Sequence, residues 1–197
     1  MTQSPSGGDL LLNRARARLA AALDPLARAL ASSGISPNAL TAIGFAVSAA
    51  AAYAYFSGRQ LEGGLLLLAS GFFDVIDGAV ARASGKSSRW GGVLDSTLDR
   101  YSDLIVLGAI IAAGLCDTLI GLAAMVGSVM VSYVRAKGEI EGVKMSSVGL
   151  MERAERIVIL AAASVLGYAW VAVTLLAILT HFTVAQRMWH IKKSLRS

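Results

Sequence analysis

The sequence predicts an all-α integral membrane protein: six transmembrane helices preceded by an N-terminal amphipathic surface helix. Three observations carry that expectation. Hydrophobic residues make up 55% of the 197-residue chain and charged residues 16%, with a mean hydropathy of +0.62, more apolar and less charged than a soluble domain. Apolar runs recur at lengths near the roughly 20 residues that a helix needs to cross a bilayer core of about 30 Å. With six such helices, all of the 18 lysines and arginines except Arg59 fall on one side, and the positive-inside rule makes that side cytoplasmic.

Residues 1–35 form the cytoplasmic N-terminal segment, and residues 36–197 one six-helix membrane domain. The polar start, Thr2 to Asp9, lacks the basic-then-apolar order of a cleaved signal peptide, so the first residues are expected to stay attached. From Leu12, the spacing of Leu12, Ala15, Leu19, Leu23, Leu26 and Leu30 is helical, with Arg14, Arg18 and Arg28 largely elsewhere on the wheel. Such a helix lies on the membrane surface, and Asp24-Pro25 predicts a break or kink in it. Ser36-Pro37 is a cap-then-proline start signal that opens the first spanning run, 38–57. Further runs cover 62–83, 91–115, 117–137, 151–167 and 168–190. The last two are nearly continuous. They divide at Gly167, because Arg153 and Arg156 before them and Lys192 and Lys193 after them share a side only if the chain crosses twice. Trp90, Trp170 and Trp189 sit at predicted helix ends, where tryptophan anchors to the interface. Cys116 has no partner for an internal disulfide and no neighbours at metal-ligand spacing, so it reads as a small apolar filler.

Chemistry concentrates between residues 74 and 99. Asp74 and Asp77 lie three apart at the cytoplasmic end of the second spanning helix, and Asp95 and Asp99 four apart at the start of the third, so each pair shares a helix face. A short loop joins the two helices, and their antiparallel packing would bring both pairs to one depth. Inserting an aspartate costs about 2.5–3.5 kcal/mol at the bilayer centre and less near its edge. Four carboxylates so close cannot all ionise without compensating cations. An oxygen-only set free of His and Cys favours Mg²⁺ or Mn²⁺, and four carboxylates suit two ions that also hold phosphate oxygens. Gly78 lets a substrate group approach the helix backbone, and Arg82, one turn on, suits a phosphate or an aspartate. Helix caps or ion pairs with Arg82, Arg89 and Arg100 would account for a single aspartate, but not for four together.

The run Asp74-Val-Ile-Asp77-Gly78-Ala-Val-Ala81-Arg82, eight further residues, then Gly91-Gly-Val-Leu-Asp95-Ser-Thr-Leu-Asp99 resembles the signature of the CDP-alcohol phosphotransferase family at every position. The resemblance implies transfer of a lipid phosphoryl group from CDP-diacylglycerol or CDP-archaeol to a polar alcohol, with loss of CMP. It further implies that Asp74, Asp77 and Asp95 bind metal. Asp99 would touch a metal and also deprotonate the acceptor hydroxyl. Gly78, Arg82 and Ser88 would contact the CDP portion, and Asn38-Ala39-Leu40-Thr41 resembles the family segment that helps hold the nucleotide. Homodimerisation is a further family expectation.

A second constellation is basic. Arg135 and Lys137 end the fourth helix, Arg153 and Arg156 open the fifth, and Arg187 lies late in the sixth. Positive-inside charge explains much of this, yet guanidinium groups from three helices also suit a dianionic phosphate. Ser132-Tyr-Val-Arg135-Ala-Lys137-Gly-Glu139 with Glu152-Arg153-Ala-Glu155-Arg156 resembles the branch making phosphatidylinositol phosphate or its archaeal ether-lipid equivalent. That resemblance implies inositol phosphate as the acceptor, bound by Arg135, Arg156 and Arg187 with Arg153 in addition. Lys137 departs from the branch, which has arginine there, and glycerol phosphate would also want a basic pocket. An ion-coupled transporter would show internal repeats and midplane carboxylates, and neither is present. An inert scaffold would not need four aspartates. Nucleic-acid binding would want a soluble basic surface, so the net charge of +5 is read as a topology and anionic-lipid signal. His181 and His190 are interfacial polar groups in this reading.

Overall fold

The computed structural model describes residues 23–146 and 148–196, and it is helical throughout with no strand among them. Helix α1 covers residues 23–32 of the N-terminal segment. Asp24 and Pro25 lie in its first described turn, and an exposed Asp24–Arg28 ion pair of 2.5 Å runs along it. The amphipathic stretch upstream of residue 23 lies outside the described residues. There follow α2 (Pro37–Phe56), α3 (Gln60–Ala83), α4 (Arg89–Ala112), α5 (Thr118–Ile140), α6 (Arg153–Val165) and α7 (Ala169–Ser194). Ser36 caps α2 by accepting from the Ala39 amide, with Pro37 in the first turn, as the start signal predicts.

Helices α2, α3, α5 and α7 are long and apolar enough to cross a membrane. Helix α4 matches them in length with 24 residues, but Asp95, Asp99, Arg100 and Asp103 lie along it. The 13 residues of α6 rise only about 20 Å. It parts from α7 at Gly167, whose φ of 80° lets the chain turn where a side chain would be strained. Trp90, Trp170 and Trp189 are exposed, close to the ends of α4 and α7.

Packing departs from expectation in one respect. The two aspartate-bearing helices do not pack along one another; α2 lies against both α3 and α4, while α3 packs on α6, and α5 on α4 and α7. The reason lies in side-chain size and charge. Helix α2 presents small residues, including Gly44, Ser48 and Ala51, to its neighbours, whereas two carboxylate-bearing faces repel when pressed together. A Cβ on Gly44 would come within 3.0 Å of the Phe73 Cβ, and the Ser70 hydroxyl donates to the Gly44 carbonyl at 3.0 Å, so α2 and α3 approach almost backbone to backbone. Helix α1 covers their aspartate-bearing end, where Ala27 packs with Leu40, Ile76 and Val80.

At the opposite end, a buried polar lock joins α2 to α6. The Tyr55 hydroxyl donates to Ser164 Oγ at 2.8 Å, and Ser164 donates to the Leu160 carbonyl at 2.7 Å. Gln60 Oε1 accepts from the Ala169 amide at 3.1 Å, which caps α7. Tyr55→Phe keeps the packing and removes one hydrogen bond. It is expected to lower stability by about 1 kcal/mol, read as thermal unfolding in detergent, with turnover unchanged because Tyr55 touches neither cavity described below. Cys116 is a free thiol in the loop between α4 and α5; burial, then the Asp117 carboxylate, push its pKa up, so it stays protonated.

Candidate active site

Keeping α3 and α4 apart leaves a space between them, and that space is the first cavity. It has a volume of about 210 Å³, with Asn38 and Thr41 of α2 in its wall together with Asp77, Gly78 and Arg82 from α3, Ser88 from the loop, and Gly91 and Asp95 from α4. Local sequence explains the shape. Arg82 in the last turn of α3 complements the carbonyl end of the helix, and the chain turns through Gly85. Ser88 starts α4 by accepting from the Gly91 amide at 2.9 Å. A Cβ on Gly91 would meet Asn38 Oδ1 at 3.1 Å and Ser88 Oγ at 3.0 Å, so glycine lets the first turn of α4 sit close to α2. Asp77 is 5% exposed and accepts a 2.6 Å hydrogen bond from the Thr41 hydroxyl, which fixes one of its oxygens.

Of the nucleotide-side residues expected from the sequence, Asn38, Thr41, Gly78, Arg82 and Ser88 line this cavity. Leu40 instead packs under α1, and Ala39 is an exposed residue whose amide is spent on the Ser36 cap. Lys86 and Ser87 join the lining; Lys86, a basic residue three positions before the start of α4, is the sequence signal for them.

A second, larger cavity of about 710 Å³ opens between α4 and α5, lined among others by Asp95, Asp99, Arg100, Ser132, Tyr133, Arg135 and Glu139. Asp95 lines both cavities. Of the four arginines expected on the acceptor side, Arg135 alone lines the larger one, held by Glu139 one turn on at 2.9 Å. Arg153 lies behind it, ion-paired to Asp74, to Asp99 at 3.0 Å and to Asp103 at 3.5 Å. Arg156 is 4% exposed and donates to Asp103 at 2.6 Å and to the Met151 carbonyl at 3.3 Å. Arg187 is 1% exposed. It donates to the carbonyls of Val131 at 2.6 Å and Val148 at 2.8 Å, with Glu152 at 3.8 Å, and so ties the segment before α6 to α5 and α7.

The residue that sequence reasoning missed is Asp103. It lies one turn beyond Asp99, so Asp95, Asp99 and Asp103 form a ladder on one face of α4. The four-residue spacing was the available signal. His181 and His190 each pair with a backbone carbonyl, those of Ala177 and Lys144.

Among the described residues, no group of three or more His, Cys, Asp or Glu side chains stands together as a ready set of metal ligands. The chemistry of the donor set nevertheless fits a hard divalent cation. Asp77 of α3 and Asp95 of α4 line the space between those helices, and among the described residues the Arg153 guanidinium engages Asp74 and Asp99 together. That demand for positive charge is the one the aspartate pattern implies.

A family model described as CDP-alcohol phosphatidyltransferase matches residues 34–189. The chain is 40% identical over 185 residues to archaetidylinositol phosphate synthase of Pyrococcus horikoshii, covering 94% of this chain and 98% of the relative. It is 42% identical over 198 residues to archaetidylinositol phosphate synthase of Methanothermobacter thermautotrophicus, covering 98% and 100%. Among solved structures, it resembles the crystal structure of Mycobacterium tuberculosis phosphatidylinositol phosphate synthase with CDP-DAG bound, at 29% identity and a TM-score of 0.75, over 85% of this chain and 92% of that one. The same enzyme in complex with manganese and citrate matches with a TM-score of 0.76 at 29% identity, over 85% of this chain and 88% of that one.

Proposed function

The chain belongs to the CDP-alcohol phosphatidyltransferase family, and from that membership we propose that it transfers a phosphatidyl-type group, diacyl or archaeol, from a CDP-lipid to inositol phosphate and releases CMP. The observation that carries the proposal is the meeting of two cavities at Asp95. One is walled by the signature residues of α3 and α4, the other by Asp99 and the arginine-bearing end of α5. Their arrangement supports a donor nucleotide in the first and a phosphorylated alcohol in the second, with the reacting atoms at the boundary. The names of the relatives support inositol phosphate as that alcohol.

In this reading Asn38, Thr41, Gly78, Arg82 and Ser88 hold the CDP portion, with Ala39 and Leu40 shaping the α2 segment beneath it. Arg135 meets the acceptor phosphate, and Arg153, Arg156 and Arg187 stand behind it. Asp99 takes the proton of the acceptor hydroxyl. The freed oxygen attacks the lipid-linked phosphorus, a P–O bond forms there, and the P–O bond to CMP breaks. Two Mg²⁺ or Mn²⁺ ions, held by Asp74, Asp77, Asp95 and Asp99, would supply neutralisation of charge on the departing phosphate. The crystal structure of the mycobacterial relative in complex with manganese supports that choice of metal.

The chain crosses the cell membrane six times with both termini and the site at the cytoplasmic face, and it works as a homodimer. Charge supports the topology: Arg59 lies on the connection opposite the aspartates, and Arg82, Arg135 and Arg153 lie on their side. The test is CMP release by detergent-purified protein with ester and ether CDP-lipids and each of inositol phosphate, glycerol phosphate, serine and inositol. Release is expected with inositol phosphate alone and is expected to cease with a chelator. Release with glycerol phosphate instead would keep the chemistry and remove the acceptor assignment.

A further inference from the structure

We propose that Asp103, which lies outside the family signature, is a positioning residue for the acceptor phosphate. Its two oxygens are divided between two helical arginines. Oδ2 accepts a hydrogen bond from Arg156 Nη2 at 2.6 Å, and Oδ1 lies 3.5 Å from Arg153 Nε, an ion pair without a hydrogen bond. Arg156 is in turn fixed from behind by the Met151 carbonyl at 3.3 Å, so Met151, Arg156, Asp103 and Arg153 form a continuous chain from the start of α6 to the site. Arg153 has three carboxylate partners: Asp74, Asp99 and Asp103. Asp74 and Asp99 belong to the set assigned to cations and to the proton transfer. Asp103 is the partner that stays available to the guanidinium when those two are engaged elsewhere. An ion pair with Asp103 on the Nε side holds Arg153 behind the larger cavity, so that its terminal nitrogens can turn to an anion once Asp74 and Asp99 are engaged by cations. Without Asp103, the same guanidinium is drawn wholly onto the signature aspartates. Asp103 lines neither of the two substrate cavities, so its effect passes through Arg153 and not through direct contact.

The inference rests on the reading of a phosphorylated acceptor, and the experiment separates the two. Acceptor dissociation constants are measured by calorimetry on detergent-purified protein with Mn²⁺, using the phosphorylated alcohol that the wild type consumes, beside KM values for both substrates and the thermal midpoint. If the wild type consumes no phosphorylated alcohol, the functional reading fails and this inference falls with it. If it does, Asp103→Asn is expected to weaken acceptor binding and raise acceptor KM by about tenfold, with the CDP-lipid KM within about twofold because the donor cavity lies elsewhere. Asp103→Glu restores part of the loss. In an Arg153→Gln background, Asp103→Asn costs no further acceptor affinity. Equal losses for donor and acceptor, an unchanged acceptor constant, or full additivity with Arg153→Gln would each overturn the proposal. Where Asp103→Asn does not fold, Asp103→Glu carries the same comparison, since a carboxylate moved by one methylene must still shift acceptor KM without shifting donor KM.

Discussion

Asp99→Asn is expected to slow CMP release by about 10²–10⁴-fold, the range associated with losing a positioned general base, while the folded protein and its affinity for CDP-lipid persist. The substitution keeps shape and removes one charge and one proton-accepting site. Asp99 faces the larger cavity, with Arg153 at 3.0 Å and Arg100 at 3.6 Å. Asparagine retains an oxygen for either arginine, and it relieves repulsion among neighbouring carboxylates, so thermal stability should hold or rise. A loss due only to a weakened cation site would disappear at saturating Mn²⁺. The decisive comparison is therefore kcat across a Mn²⁺ titration. A deficit that survives saturation supports the base; full recovery makes Asp99 a ligand and leaves the proton without an assigned acceptor.

The boundaries of α2 to α7 were legible because the apolar runs end in chemically marked places. Ser36-Pro37 opens α2, Ser88 opens α4, and Gly167 divides α6 from α7. Which helices touch was not legible. Helices apolar on nearly all sides carry little facial signal, so a short loop between α3 and α4 was the only guide, and it pointed to direct packing. The small residues of α2 decide otherwise, by admitting close approach on two sides. The aspartates stood out in the sequence by spacing alone, since carboxylates inside apolar helices call for a compensating cation. The arginines were readable as charge but not as partners. Arg156 and Arg187 look alike in sequence to Arg135, yet the structure buries the first two against Asp103 and backbone carbonyls and leaves Arg135 facing the cavity. Asp103 completes a ladder visible in the sequence, but the family pattern ends at Asp99 and carries no signal for it.

Asp95→Asn is expected to lower CMP release by about 10³-fold or more, because it removes charge from the carboxylate that lines both cavities at once. Asp95 lies in the wall of both cavities, and that position distinguishes it from its neighbours. Of the two cavities Asp77 lines only the smaller and is already held by Thr41 at 2.6 Å; Asp99 lines only the larger. Losing Asp77 or Asp99 disturbs one half of the reaction, whereas losing Asp95 leaves neither half aligned with the other. The signature of that difference is in binding as well as rate. With Asp95→Asn, Mn²⁺ affinity read by electron paramagnetic resonance and CDP-lipid affinity should fall together, whereas Asp99→Asn leaves donor affinity near the wild-type value. If Asp95→Asn instead keeps both affinities and loses only turnover, Asp95 and not Asp99 is the better candidate for the proton acceptor. The two carboxylates are one helical turn apart on the same face of α4, so the acceptor hydroxyl would then lie nearer the donor cavity than proposed.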